Sequence, residues 1–250
     1  MPSGFTSTQT GNPDLKWETT TQTNIGVDFG LFNSILTGSV DVFNKNTTNI
    51  LINPPYLAVL GEGGNEWYNG ASENVRGFET LLNYHGRIGN DLTLALTGNI
   101  AAYRSKITKL PAAAMNGYPG NGTTQTIIGR SPNSQFGYVV QGIFQNQAEV
   151  DAAAAQPGKG VGRLRYKDLD GNNVINPNDE TYIGNSDPDF TYGLNTSVGY
   201  KGFSLSFFLQ GVKGGTVYNS YKYLTDFSSL APGSNWGTRA LTAWAPKNTS

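Results

Sequence analysis

The chain has no cysteine and a single histidine, His85, in 250 residues. The first absence excludes a disulfide framework and any thiolate metal site, although it does not fix the compartment. The second excludes a metal held by a cluster of histidines. Charge of one sign is also missing: 17 Lys and Arg stand against 18 Asp and Glu, a net charge of -1. That balance leaves no footprint for nucleic acid and no polybasic patch for a membrane surface. No run approaches 18 apolar residues, which excludes a transmembrane helix. The opening "MPSGFTSTQTGNPDLKW" has neither a basic start nor an apolar core, so it does not read as a signal peptide. The closing "LTAWAPKNTS" stops without turn or cap, and the chain is expected to be a fragment. The mean hydropathy of -0.36 does not argue against a membrane protein. Barrel strands alternate apolar and polar residues, so their average is unremarkable.

What is present points to strands and turns: 32 glycines, 13 tyrosines and 12 phenylalanines. Alternation with period two recurs in six segments. In 19–29, Thr19, Thr21, Thr23, Ile25, Val27 and Phe29 oppose Thr20, Gln22, Asn24, Gly26 and Asp28. In 36–43, Leu36, Val40 and Val42 oppose Thr37, Ser39 and Asp41. Segments 76–85, 92–102, 192–200 and 203–211 divide in the same way. These spans are long enough to cross a bilayer when tilted, whereas strands of soluble proteins are usually shorter. Trp17, Phe29, Phe43, Tyr84, Tyr103, Tyr192, Tyr200 and Phe203 fall at strand ends, where interfacial girdles would put them.

The connections alternate in length. "GLFNS" (30–34), "IGND" (88–91) and "YKGF" (200–203) are short, while 50–73, 104–190 and the residues after 214 are long. Outer-membrane barrels have this asymmetry, with tight turns on one rim and long loops on the other. The expected fold is therefore all-β: an antiparallel transmembrane β-barrel segment with long extracellular loops. Asp28, Asp41, Glu79, Asn83 and His85 are expected to face the lumen, because charge facing lipid is costly. A secreted carbohydrate-binding β-sandwich with a calcium-stabilised loop is the alternative, and detergent dependence separates the two.

One long connection carries "KDLDGNNVINPNDETYIG" (167–184). Asp168, Asp170, Asn172, Val174 (by its carbonyl), Asn176 and Asp179 occupy positions 1, 3, 5, 7, 9 and 12 of an EF-hand-like loop, all offering oxygen as calcium requires. Position 6 is Asn173 where Gly is usual, and Asn tolerates the left-handed conformation. Position 12 is Asp where the bidentate Glu is usual, closer to the dockerin form of the loop. The competing reading is an Asx-rich turn held by its own side chains. A structural Ca2+ would stiffen a long loop with no core beneath it. No cofactor is required.

"GNPDLKWETTTQTNIGVDFGLFNSILTGSVDVFNKNTTNIL", "ENVRGFETLLNY", "FGYVVQGIFQNQAEV" and the stretch from "RYKDLDGNN" to "GGTVYN" resemble, in this order, the C-terminal part of the barrel in the SusC/RagA family of TonB-linked outer-membrane transporters of Bacteroidota. The resemblance implies that residues 1–250 are a partial barrel domain of a 22-stranded, plugged transporter, with plug and closing strands outside the chain. It further implies an outer-membrane location, TonB engaged through a region not in this chain, a SusD-like lipoprotein partner, and uptake of glycans or peptides. A hydrolase is a weaker reading. Glu79 and Asp41 are the carboxylates from which a glycosidase pair would have to be drawn, with no separation fixed by the sequence, and lumen polarity explains both. "GKGVG" (158–162) lacks P-loop spacing, and "NTT" (46–48) is a glycosylation pattern by letters only. Tyr56, Trp67, Tyr68, Tyr118 and Tyr138 fall in the long connections, where aromatics stack on sugars, meet a partner or pack locally.

Overall fold

The computed structural model describes residues 11–53, 67–111, 126–226, 233 and 235–246. They form two compact units, one holding the large sheet with 126–134 and 186–215, the other holding 135–185 and the described residues from 216 onward.

The first unit is an antiparallel sheet of six strands: β1 (Thr19–Leu31), β2 (Leu36–Ile52), β3 (Tyr68–Ile88), β4 (Leu92–Lys109), β9 (Phe190–Tyr200) and β10 (Phe203–Lys213). They pair in the order β1-β2-β3-β4-β9-β10. The register joins the apolar sets of all six into one face. Ile25 lies opposite Val42, Val42 opposite Phe78, and Phe78 opposite Ala102. Ile100 lies opposite Tyr192, Leu94 opposite Val198, and Val198 opposite Leu205. Among the described residues none covers this face: Phe203 is 81% exposed and Leu205 66%. The four acidic residues within these strands, Asp28, Asp41, Glu73 and Glu79, all fall on the other face, as do Asn83, His85, Thr97 and Asn195. Leu81, Val75, Phe208 and Val212 are among the apolar residues on that polar face.

The short connections are tight turns. Tyr200 pairs Phe203 across Lys201 and Gly202, whose φ angles of 44° and 87° are both positive. That two-residue turn matches the right-handed twist of its strands, and glycine takes the second left-handed position without strain. Leu31 pairs Leu36 and Ile88 pairs Leu92 at the same rim. Between β4 and β9, the chain leaves and rejoins the sheet at the opposite rim, as the alternation of connection lengths predicts.

Two expectations need correcting. β2, β3 and β4 have 17, 21 and 18 residues and extend past the alternating segments, through 44–52, 68–75 and 103–109, into the connections expected at 50–73 and 104–190. In those extensions polar residues fall on both faces and the few apolar ones, such as Ile52, Ala71 and Ile107, do not alternate, but the backbone ladder needs no apolar face to continue. Phe43 and Tyr103 also do not belong to an outward girdle. They lie opposite Gly77 on the polar face, and the Phe43 ring covers that glycine closely enough that a Cβ there would come within 2.6 Å of it.

The second unit contains β5 (Ser134–Gly137) from its second residue on, paired with β8 (Thr181–Asn185), and β6 (Val140–Ile143) paired with β7 (Leu164–Tyr166). Helix α1 (Gln147–Ala152) begins at Asn146, whose side chain accepts from the Glu149 N–H at 2.9 Å. Helix α2 (Ser220–Asp226) lies near a short 3-10 turn at Thr238–Thr242, and Gly237 N–H donates to the Thr225 carbonyl at 3.0 Å. The long connection does have a core beneath it, contrary to expectation. Phe144, Val150 and Ile175 are buried, and Trp244 Nε1 donates to Gln145 Oε1 at 2.9 Å.

Candidate functional site

The acidic loop is held by its own side chains and by one strand-like contact. Asp168 accepts from the N–H groups of Gly171 (2.8 Å) and Asn173 (2.7 Å). Asp170 accepts from Asn172 N–H at 3.1 Å, Asn172 from Val174 N–H at 2.7 Å, and Asn176 from Asn178 N–H at 2.9 Å. Asn173 has φ 63°, the left-handed position its place in the loop requires. Ala155 bridges the far side: its N–H donates to Asn173 O and its carbonyl accepts from Ile175 N–H, both at 2.8 Å.

Asp179 is the hub. It is wholly buried in a 3-10 turn, Pro177–Asp179, and accepts from Leu169 N–H at 2.7 Å and Asn176 N–H at 2.8 Å. Carboxylate oxygens of Asp168, Asp170 and Asp179 converge to within 4.8 Å of one another. An all-oxygen set of this density suits a hard cation. The Val174 carbonyl accepts from Asn176 Nδ2 at 3.2 Å, and Asn172 stays beside Asp170, to whose second oxygen it donates at 2.9 Å.

Burial alone would raise the pKa of Asp179, but N–H bonds from Asn176, Leu169 and Asp170, with Asp168 alongside, outweigh it and hold the carboxyl below its ordinary value. A depressed carboxylate contributes stability that is complete above its unfolded pKa, about 3.9, and is lost as pH falls through the folded value. With chelator present, protection of the Leu169 and Asn176 amides from hydrogen exchange is therefore expected to be constant from neutral pH to about 4 and to fall below it. Protection that persists unchanged through more acidic pH would contradict this account.

The polar face of the sheet carries a second feature, a hollow of about 650 Å³ lined by Asp41, Phe43, Glu73, Glu79 and Tyr103 among others. Asp41 and Glu79 are direct cross-strand neighbours, and Ser105 Oγ donates to Glu73. Asn133 Nδ2 donates to Asp187 Oδ1 at 2.7 Å, and Ser131 Oγ donates to the other Asp187 oxygen. His85 lies on this face opposite Ala95. Of the loop aromatics, Tyr138 packs against Tyr166 with ring centroids 5.4 Å apart, while Tyr56 and Tyr118 lie outside the described residues. Burial, then the neighbouring Glu180, pushes the Tyr138 phenol up. Glu73 and Asp187 were not marked by the sequence pattern. Glu73 sits where alternation has faded, and Asp187 reaches its partners only through the fold.

The chain matches the family model described as TonB dependent receptor-like, beta-barrel, over residues 1–244. TonB-dependent receptor P3 of Formosa agariphila is 31% identical over 99% of this chain and 25% of its own length. TonB-dependent receptor SusC of Bacteroides thetaiotaomicron is 26% identical over 88% of this chain and 22% of its own. A solved structure of the RagAB peptide transporter superposes with a TM-score of 0.73 at 25% identity, covering 96% of this chain and 26% of that one. The chain thus spans about a quarter of the length of these relatives. That family is one of receptors and transporters, not enzymes. With its antiparallel sheet, its uncovered apolar face and its tight-turn rim, the chain belongs to the TonB-dependent receptor β-barrel family, in its SusC/RagA-like part.

Proposed function

We propose that this chain forms part of the barrel wall and outer loops of a TonB-dependent outer-membrane importer that takes up peptides or glycans together with a SusD-like surface lipoprotein. The observation that carries the reading is the width of the apolar face. It runs from Leu92 to Ala102 on β4, from Ile88 to Phe78 on β3, and from Tyr200 to Tyr192 on β9, although the first two strands themselves continue well beyond. A strand tilted across a bilayer needs about 9–11 residues, and the apolar face has that length. The polar face then lines the lumen, with the acidic hollow facing the substrate path. The likeness to a peptide transporter supports peptides as the substrate class. The full-length protein is expected in the outer-membrane fraction, with uptake of labelled peptides that stops when TonB is removed. A detergent-independent soluble protein, or uptake unchanged without TonB, would overturn the reading.

The 104–190 connection is proposed to give surface to the lipoprotein partner. Removing most of it from the full-length protein is expected to reduce co-purification of that partner severalfold, and undiminished recovery would count against the assignment. We propose a structural role for a calcium-sized ion at Asp168, Asp170 and Asp179, with Asn172, the Val174 carbonyl and Asn176 completing the set. Three carboxylates this close repel one another without a cation. Chelator is therefore expected to speed proteolysis within 167–184, and Asp168→Ala with Asp170→Ala to reproduce that effect. Equal cleavage with calcium and with chelator, and no metal by elemental analysis, would leave the Asx turns as sufficient.

A further inference from the structure

The charged residues of the sheet are partitioned by face and by height. None of the strand carboxylates lies on the apolar face. Four basic residues do share that side: Arg76, Arg104, Lys106 and Lys213. All four lie just beyond the apolar band, at the rim away from the tight turns. Across the strands, Thr23, Asn44, Arg76 and Arg104 form one register row, and Thr21, Asn46, Asn74 and Lys106 form the next. The row immediately before them is Ile25, Val42, Phe78 and Ala102. Lys213 stands opposite Phe190, one step past the Tyr192–Gly211 pair.

Two arginines directly opposite each other on neighbouring strands repel, so the pair costs stability unless an anion sits between them. The nearby anion within the unit is Asp189, paired with Arg104 at 3.0 Å. Arg76 instead donates to Asn44 Oδ1 at 3.1 Å, which leaves its charge uncompensated by that contact. The amides do not spread at random either. Asn74 is 4% exposed, and its Nδ2 donates to the oxygens of Asn44 and Asn46 at 2.7 Å each, which ties the two polar rows together. The exposed cations project from the face that continues the apolar band.

We infer that this row binds phosphate groups of lipid headgroups in the outer leaflet, making the outer rim of the apolar band an anionic-lipid contact. The inference rests on the membrane reading proposed above. Continuity with the lipid-facing band places lipid headgroups at this height, and charge complementarity selects those carrying phosphate without a compensating cation. Guanidinium groups bind phosphate oxygens in bidentate fashion, and ammonium groups act as point charges beside them.

The test uses the full-length protein in detergent, titrated with short-chain phosphatidylglycerol, short-chain phosphatidylcholine or inorganic phosphate and read by native mass spectrometry. Folding is checked by the heat-modifiable mobility of the barrel. Arg76→Gln, Lys106→Gln and Lys213→Gln are combined, and Arg104 is kept because it is paired. Each removed charge is expected to weaken phosphatidylglycerol binding roughly fivefold. Phosphatidylcholine binding should stay unchanged, and inorganic phosphate should not compete at equal concentration. Lys45→Gln, on the polar face at the same height, is expected to leave phosphatidylglycerol binding intact. Phosphatidylglycerol binding equal in the triple variant and the native protein would overturn the inference. So would loss of the partner lipoprotein with anionic lipid binding intact, which would place an acidic protein surface on the row instead. Failure of the native protein to bind either lipid would overturn the membrane reading and this inference together. Equal binding of both lipids by the native protein would overturn this inference alone.

Discussion

Leu96→Arg is expected to keep most of the full-length protein from reaching its folded barrel, while Thr97→Arg is tolerated. Leu96 lies near the middle of the apolar band on β4, opposite Tyr84 and Thr196. An arginine facing lipid near the bilayer midplane costs about 2–4 kcal/mol. Thr97 lies opposite Asn83 and Asn195 on the polar face, where an arginine finds amide partners and water. Moving the same charge by one residue reverses its face, because the side-chain period of a strand is two. The folded fraction on unheated gels and the urea midpoint of the reconstituted protein measure the difference. Equal losses from the two substitutions would mean that the faces are assigned wrongly.

Asp179→Ala is expected to be the most damaging single change in the 167–184 loop. Its carboxylate serves two amides at 2.7 and 2.8 Å while wholly buried. A buried donor left without an acceptor costs about 1–3 kcal/mol, and these two, being part-buried, fall at the low end. The effect is local. The ladder of the six-stranded sheet pairs its strands with one another and not with residues 167–184, so barrel formation should be unchanged while cleavage within 167–184 rises steeply. Asp170→Ala is the comparison. Among the described residues its oxygens accept from Asn172 alone, in an exposed position, so its loss should raise cleavage far less. Indistinguishable cleavage of the two variants would remove Asp179 from its place as hub. Asp179→Asn, which keeps the shape and one acceptor oxygen, should fall between them.

Period-two alternation made the six strands, their two faces and the three tight turns legible, because each depends only on neighbours in the chain. The loop spacing was legible for the same reason: Asn173 adopts the left-handed backbone that position 6 demands. The outer extensions of β2, β3 and β4 were not. Asn44, Lys45, Asn46 and Thr47 carry no apolar alternation, and only pairing with Arg76, Val75, Asn74 and Glu73 shows them to be strand. The girdle reading of Phe43 and Tyr103 failed because an aromatic at a strand end marks a height, while its face depends on counting through the register.

The sequence by itself determined that this is an antiparallel β-protein with alternate faces, carboxylates gathered on the polar one and a cation-compatible acidic loop, since those properties reside in local spacing and side-chain chemistry. Only the tertiary structure decided which rows meet across strands. That brought Arg76 opposite Arg104 beyond the apolar band and Asp41 opposite Glu79 on the other face. It also decided that Asp179 is buried, through a turn closed on Leu169 and Asn176 and a bridge from Ala155 to the strand-like run beside Ile175. Burial and cross-strand adjacency join residues far apart in the chain, and no spacing rule along a single chain encodes them.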